Sequence, residues 1–206
     1  MVRPERLKQI LSSLRTAIDE SSSAVGENAI PASIGSALAE LLLEIESAEI
    51  GDNFTRHASL VLKTFEEIGL SNIQPDSAGE ILQGIGRTYE RLGDTTNAYD
   101  AYSRALDIAT AANDVSLAAG CRRRMGRIMT NTADFDTAET HLNASRAQYE
   151  ELGDKTGLAQ AISDIGSLHF QRGEIDRAEK SYREALAVAE ETDSKRTIIN
   201  LHNNLG

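Results

Sequence analysis

From Ile81 onward the apolar positions recur at three- and four-residue spacing. Ile81, Ile85, Thr88, Tyr89 and Leu92 fall on one stripe, and Ala98, Tyr102, Ala105, Leu106 and Ala109 on a second, the signature of two amphipathic helices. Gly93-Asp94 breaks the pattern between them. Glycine suits the left-handed residue that closes one helix, and an aspartate oxygen can cap the next. A second polar break follows at Asn113-Asp114, Gly153-Asp154 and Thr192-Asp193. The pattern predicts antiparallel helix pairs joined by short turns.

The pair itself repeats. Segments beginning at Gly86, Gly126 and Gly166 align without gaps at a period of 40, and Gly206 opens a fourth. Asp94, Asp134 and Glu174 share a column, read as helix caps, as do Ala98, Ala138 and Ala178, and Tyr102, Leu142 and Tyr182. Small residues at Gly86 and Ala98 would let paired helices approach closely, with Tyr102 and Tyr182 filling the space between one unit and the next. Upstream the match fades. Residues 33–76 read as a degenerate first helix pair, carried by Leu38, Leu41, Leu42, Ile45, Ala58, Leu62 and Phe65. Residues 1–32 hold an amphipathic helix (Leu7, Ile10, Leu11, Leu14, Ile18) and a flexible join, Asp19 to Pro31. That helix is expected either to cap the first pair or to serve as a dimerising segment. At the other end Leu201 and Leu205 form an apolar stripe that looks uncovered, so residues 77–206 read as three repeats and the start of another in a longer protein, with self-association through exposed terminal helices in view.

Composition narrows the work such a protein can do. The 206 residues carry 21 Lys and Arg against 32 Asp and Glu, a net charge of −11. That is a poor basis for binding a phosphate backbone, so nucleic acid is not an expected partner. The longest apolar run, Leu41 to Leu43, lies between Glu40 and Glu44, and no membrane partner is expected. One cysteine rules out an internal disulfide and suits a cytoplasmic setting. His57, His141, His169 and His202 have no metal-binding spacing, no nucleophile constellation stands out, and Gly84-Ile85-Gly86 falls inside a helix. Neither an enzyme nor a cofactor is expected.

The column of glycine, then alanine, aromatic and alanine resembles the tetratricopeptide repeat, in a variant longer than the usual unit of about 34 residues. Departures occur: the Trp column holds Leu82, Arg122, Ile162 and His202, and the Pro column Thr110, Glu150 and Glu190. The resemblance implies an all-α fold, a right-handed superhelical array of antiparallel helix pairs, acting as a protein–protein interaction scaffold. It also implies that five positions on each first helix line a concave groove. Carried over, these are Gln83, Arg87, Glu90 and Arg91, then Arg123, Arg127, Thr130 and Asn131, then Gln160, Ser163, Ser167, Phe170 and Gln171, and finally Asn200 and Asn203.

Within this set the arginines draw attention. Seven of the 16 arginines lie between Gly84 and Thr130, against five acids. Arg87 and Arg91 are one turn apart, as are Arg123 and Arg127, so each pair shares a face. Either they pair with Glu90, Asp94 and Asp100 and solvate the surface, or they select an acidic peptide or partner segment by bidentate contacts to carboxylates. The family's Lys- and Asn-based carboxylate clamp is not reproduced, since Gln83 and Arg87 stand at its positions. A second reading makes the repeats a regulatory module of a larger signalling protein, such as a cyclase, kinase or transcription regulator.

Overall fold

The computed structural model describes residues 75–192 and 195–205, together with Leu62. The expected N-terminal helix, the degenerate pair apart from its last residues and Leu62, the cap at Asp193 and the glycine at 206 lie outside the described residues. The described residues form seven α-helices and no strand: α1 (Pro75–Leu92), α2 (Thr95–Ala111), α3 (Val115–Asn131), α4 (Phe135–Leu152), α5 (Lys155–Gln171), α6 (Ile175–Glu190) and α7 (Lys195–Leu205). The chain divides into two compact units at Ile108 and Ala109.

One turn design joins the helices. Gly93, Asn113, Ala133, Gly153 and Gly173, each twenty residues after the last, have positive φ of 78°, 54°, 62°, 65° and 78°. The next residue is an acid each time, and its backbone N–H bonds back to the helix just ended: Asp94 to Tyr89 O at 2.9 Å, Asp114 to Ala109 O at 2.8 Å, Asp134 to Met129 O at 2.9 Å, Asp154 to Tyr149 O at 3.0 Å and Glu174 to His169 O at 2.9 Å. This is the Schellman closure, which satisfies carbonyls the helix end would leave bare. The same acids start the next helix. Asp94 accepts from Asn97 N–H at 3.1 Å, Asp114 from Leu117 at 2.9 Å, Asp134 from Thr137 at 3.3 Å and Asp154 from Gly157 at 2.9 Å. Glu174 is the exception and corrects the expected cap: it makes no such bond, because its longer side chain turns to His169 Nδ1 at 2.7 Å and Arg177 Nη1 at 3.1 Å.

In the first unit, α1 buries Ala78, Ile81, Leu82 and Ile85, and α2 buries Ala98, Ala101, Tyr102 and Ala105. A Cβ on Gly86 would stand 2.6 Å from Tyr102 Cε1. In the second unit a Cβ on Gly126 would meet Leu142 Cγ at 2.6 Å, and one on Gly166 would meet Tyr182 Cε1 at 2.7 Å. The expected close approach is present, but the tyrosines cover the glycine of their own pair rather than lying only between pairs.

Within the second unit α3 packs on α4, α4 on α5, α5 on α6 and α6 on α7, while first helices also meet, α3 with α5 and α5 with α7. Ala138 and Leu142 of α4 pack with Ile165 and Leu168 of α5. Further on, Ala178, Tyr182, Ala185 and Ala189 of α6 gather Ala159 and Ile162 of α5 and Leu201 of α7. Leu201 is fully buried and Leu205 is packed against this cluster, so the stripe that looked uncovered is the face α7 turns to its neighbours. The Trp column divides by neighbourhood: Leu82 and Ile162 are buried, Arg122 is half-buried and His202 is exposed.

Two substitutions separate the turn from the packing. Ala133 holds a left-handed conformation that costs an L residue about 1–2 kcal/mol, so Ala133→Gly should stabilise by about 0.5–1 kcal/mol after the looser unfolded chain is counted. Gly166→Ala gains about 1 kcal/mol of helix propensity. It drives a methyl into a ring that is 6% exposed and tied to Ser167 Oγ at 3.1 Å, which should reverse the sign to a net loss of about 1–2 kcal/mol. Urea denaturation reads both; a stabilised Gly166→Ala would refute the close-contact account.

Candidate functional site

The groove positions inferred from sequence fall in both units, and the structure treats them differently. In the first unit, Gln83 Oε1 accepts from Arg87 Nη1 at 2.7 Å and Glu90 Oε2 accepts from the buried Tyr102 hydroxyl at 2.6 Å. Glu90 thus anchors the ring that packs on Gly86. Two of the acids considered as partners for the arginines are engaged locally: Asp94 caps α2, and Asp100 faces Arg104 at 3.9 Å.

In the second unit the arginine positions meet an acid that the sequence reading did not weigh. Arg123 Nη1 donates to Asp164 Oδ2 at 2.9 Å, joining α3 to α5, with side chains only 14% and 17% exposed. Burial pushes the Asp164 carboxyl above its ordinary value, opposed by the charges of Arg123, Arg127 and Arg124. The Tyr149 phenol is likewise raised by burial and opposed by the nearby charge of Arg123. Arg123 Nε is buried without an acceptor. Arg123 therefore ties α3 to α5 beside Tyr149 of α4, and Arg127 lies within the field of the same carboxylate. The sequence signal was available: Arg123 and Asp164 are 41 residues apart, one more than the repeat, which places them at adjoining heights on neighbouring first helices.

Thr130 is 3% exposed, with its hydroxyl donating to Gly126 O at 2.9 Å. The bond is the usual back-bonding of a helical threonine to the preceding turn. Gln160 and Ser163 are half-buried. Ser167 is half-buried as well and bonds Tyr182. Asn131, Gln171, Asn200 and Asn203 are exposed, and Gln171 Nε2 reaches Asn131 Oδ1 at 3.4 Å, linking α5 to α3. Phe170 is 59% exposed. Ile199 of α7, not among the inferred positions, is 60% exposed.

Other charges tie one pair to the next. Arg146 of α4 reaches Glu184 of α6 at 2.6 Å. Arg172, in the turn after α5, reaches back to Asp136 at 3.0 Å and Glu139 at 2.7 Å on α4, with its guanidinium 5.6 Å from the centre of the Phe135 ring. Cys121 is buried. Among the described residues no His, Cys, Asp or Glu cluster is arranged to hold a metal, and no helix is long and apolar enough to cross a membrane.

Comparison with known proteins gives the class. Two models of the tetratricopeptide repeat match residues 79–111 and 115–191, together just over half of the chain. The chain belongs to the tetratricopeptide-repeat family, and it is an all-α solenoid and a protein–protein interaction scaffold. No curated protein matches it significantly in sequence. Among solved structures it is similar to BtubC (BKLC) from P. vanneervenii, with TM-score 0.66 and 17% identity over 96% of this chain and 82% of that one. It is also similar to the Rap protein in complex with Competence and Sporulation Factor, with TM-score 0.67 and 17% identity over 98% of this chain. It spans 52% of the Rap chain.

The buried pair sets an energetic test. Asp164→Asn strands the Arg123 charge, so a loss of about 2–3 kcal/mol is expected in urea denaturation. Replacing both, Arg123→Met with Asp164→Leu, should recover most of it. A single variant as stable as the parent would mean that the pair is solvated.

A pH test follows from His141, whose pKa is lowered chiefly by burial and also by Arg122, against Asp134. The unfolded chain therefore takes up a proton first, and stability should fall as pH drops from about 6.5 through the lower folded value, then level off. His141→Gln should remove that step from the pH dependence of the melting temperature.

Proposed function

We propose that the face formed by the first helices of the second unit holds an extended, acidic segment of a partner protein. The observation that carries this reading is Phe170, 59% exposed on a polar surface beside the Gln171–Asn131 amide contact. A large apolar side chain left in water beside amides suits a peptide, since amides bond a peptide backbone while the ring covers one of its side chains. Arg127, at the next such position on α3, supplies the cation for a carboxylate. Arg123 stands below it as the residue that holds Asp164. The Rap protein, similar in fold, is complexed with a factor, which accords with a binding role for such arrays. The single thiol accords with the reducing cytoplasm, where we place the protein.

Fluorescence anisotropy with a short labelled peptide of alternating Glu and Leu tests the reading. Arg127→Glu should weaken binding by on the order of 2 kcal/mol, roughly thirtyfold, with little change in melting temperature. Phe170→Ser should also weaken it. Arg183→Glu on α6, whose arginine is 72% exposed, controls for bulk charge and should cost far less. Added salt should weaken binding to the parent protein. Parent-like binding by both Arg127→Glu and Phe170→Ser would place the ligand elsewhere.

A further inference from the structure

Two contacts cross the seam between α3 and α5. Arg123 meets Asp164 at 2.9 Å, and Asn131 meets Gln171 at 3.4 Å. Arg123, Arg127 and Asn131 stand one turn apart on α3, so Arg127 shares their stripe and lies midway between the two contacts. The corresponding position on α5, 40 residues on, is Ser167. That side chain is neutral, and its hydroxyl is engaged with Ser163 O at 3.2 Å and the Tyr182 hydroxyl at 3.1 Å. The carboxylate in the field of Arg127 is Asp164.

Asp164 is an acid in a cationic setting. The charges of Arg123, Arg127 and Arg124 all act on it, and its side chain is only 17% exposed. A charge covered in this way is weakly screened by water and salt and reaches further than one on the surface. An anionic group seated at Arg127 is therefore drawn by the arginines and repelled by one fixed carboxylate at the same time.

We propose, building on the reading that Arg127 meets an anion of the partner segment, that Asp164 is the specificity-determining residue of this face and selects a carboxylate over a phosphate. The cost of taking a charged group out of water grows with the square of its charge, whereas its attraction to a cation grows only in proportion. A glutamate carries one charge, and a phosphoserine about two. Asp164 cancels part of the arginine charge, which leaves enough attraction to outweigh the desolvation of the first group but not of the second. A like charge built into the site works against the wrong guest.

The test uses two labelled peptides of alternating Ser and Leu, identical except for one central acid, glutamate in one and phosphoserine in the other. Fluorescence anisotropy is read at about pH 7.5, where the phosphate is doubly charged. The parent protein should bind the glutamate peptide at least as tightly as the phosphoserine peptide. Asp164→Asn should move the ratio of the two affinities toward phosphoserine by about fivefold or more. Lost stability lowers both affinities by the same factor, so a purely structural Asp164 would leave the ratio unmoved. Asp176→Asn, at an exposed position on α6, removes the same charge elsewhere and should leave the ratio unchanged. Tighter binding of phosphoserine by the parent, which needs no variant to fold, overturns the proposal. So does an unmoved ratio in Asp164→Asn, or an equal shift in Asp176→Asn. Arg127→Glu separates the two levels. If neither peptide depends on Arg127, the acidic-segment reading falls and the selectivity with it; Arg127-dependent binding that favours phosphoserine overturns the selectivity alone.

Discussion

A left-handed residue followed at once by an acid is the constraint on which the rest of the chain depends. The positive φ reverses the backbone, the acid's N–H closes the helix just finished, and the acid's side chain opens the next. One short turn thereby satisfies carbonyls on one side and an amide on the other, groups that would otherwise need water. Because the device recurs every twenty residues, the helices it joins have nearly equal length. The 40-residue repeat of the side chains is two such steps. Where the device is imperfect, the structure substitutes. Ala133 tolerates the strained φ, and Glu174 gives up its cap for a contact with His169.

With direction and length fixed by the turns, spacing is fixed by glycine against a bulky partner. Gly86 under Tyr102, Gly126 under Leu142 and Gly166 under Tyr182 bring each pair to a separation that no β-carbon would allow. Tyrosine adds a polar end to this contact. Tyr102 bonds Glu90 and Tyr182 meets Ser167, so packing inside a pair dictates the orientation of polar groups on its first helix. Successive pairs are then joined by charge as well as by apolar contact, through Arg123 with Asp164, Arg146 with Glu184, and Arg172 with Asp136 and Glu139. Side chains that look like surface charge in the sequence are partly the mortar between repeats.

This division of labour shapes what remains for binding. An arginine in an ion pair only 14% exposed has little left to offer a ligand, whereas Phe170, Asn131 and Gln171 are exposed.

Much of the fold was legible in the sequence. The three- and four-residue apolar spacing gives the helices, Gly-Asp and Asn-Asp mark their ends, and the 40-residue register gives the repeat, because each of these is a local property of the chain. The identity of the groove residues was legible only as positions. Thr130 was placed by its column in the resemblance, which carries no information on its 3% exposure or on its hydroxyl's bond to Gly126 O. Leu201 looked bare because its cover, Ile162 and Tyr182, comes from two earlier helices. Arg123 read as one of an arginine pair sharing a helix face until Asp164, on another helix, came within 2.9 Å. Sequence by itself determined where helices begin, end and repeat, since caps, turns and periodicity act within a few residues. Which charges pair between helices was decided only by tertiary structure, because ion pairing depends on distance between helices far apart in the chain.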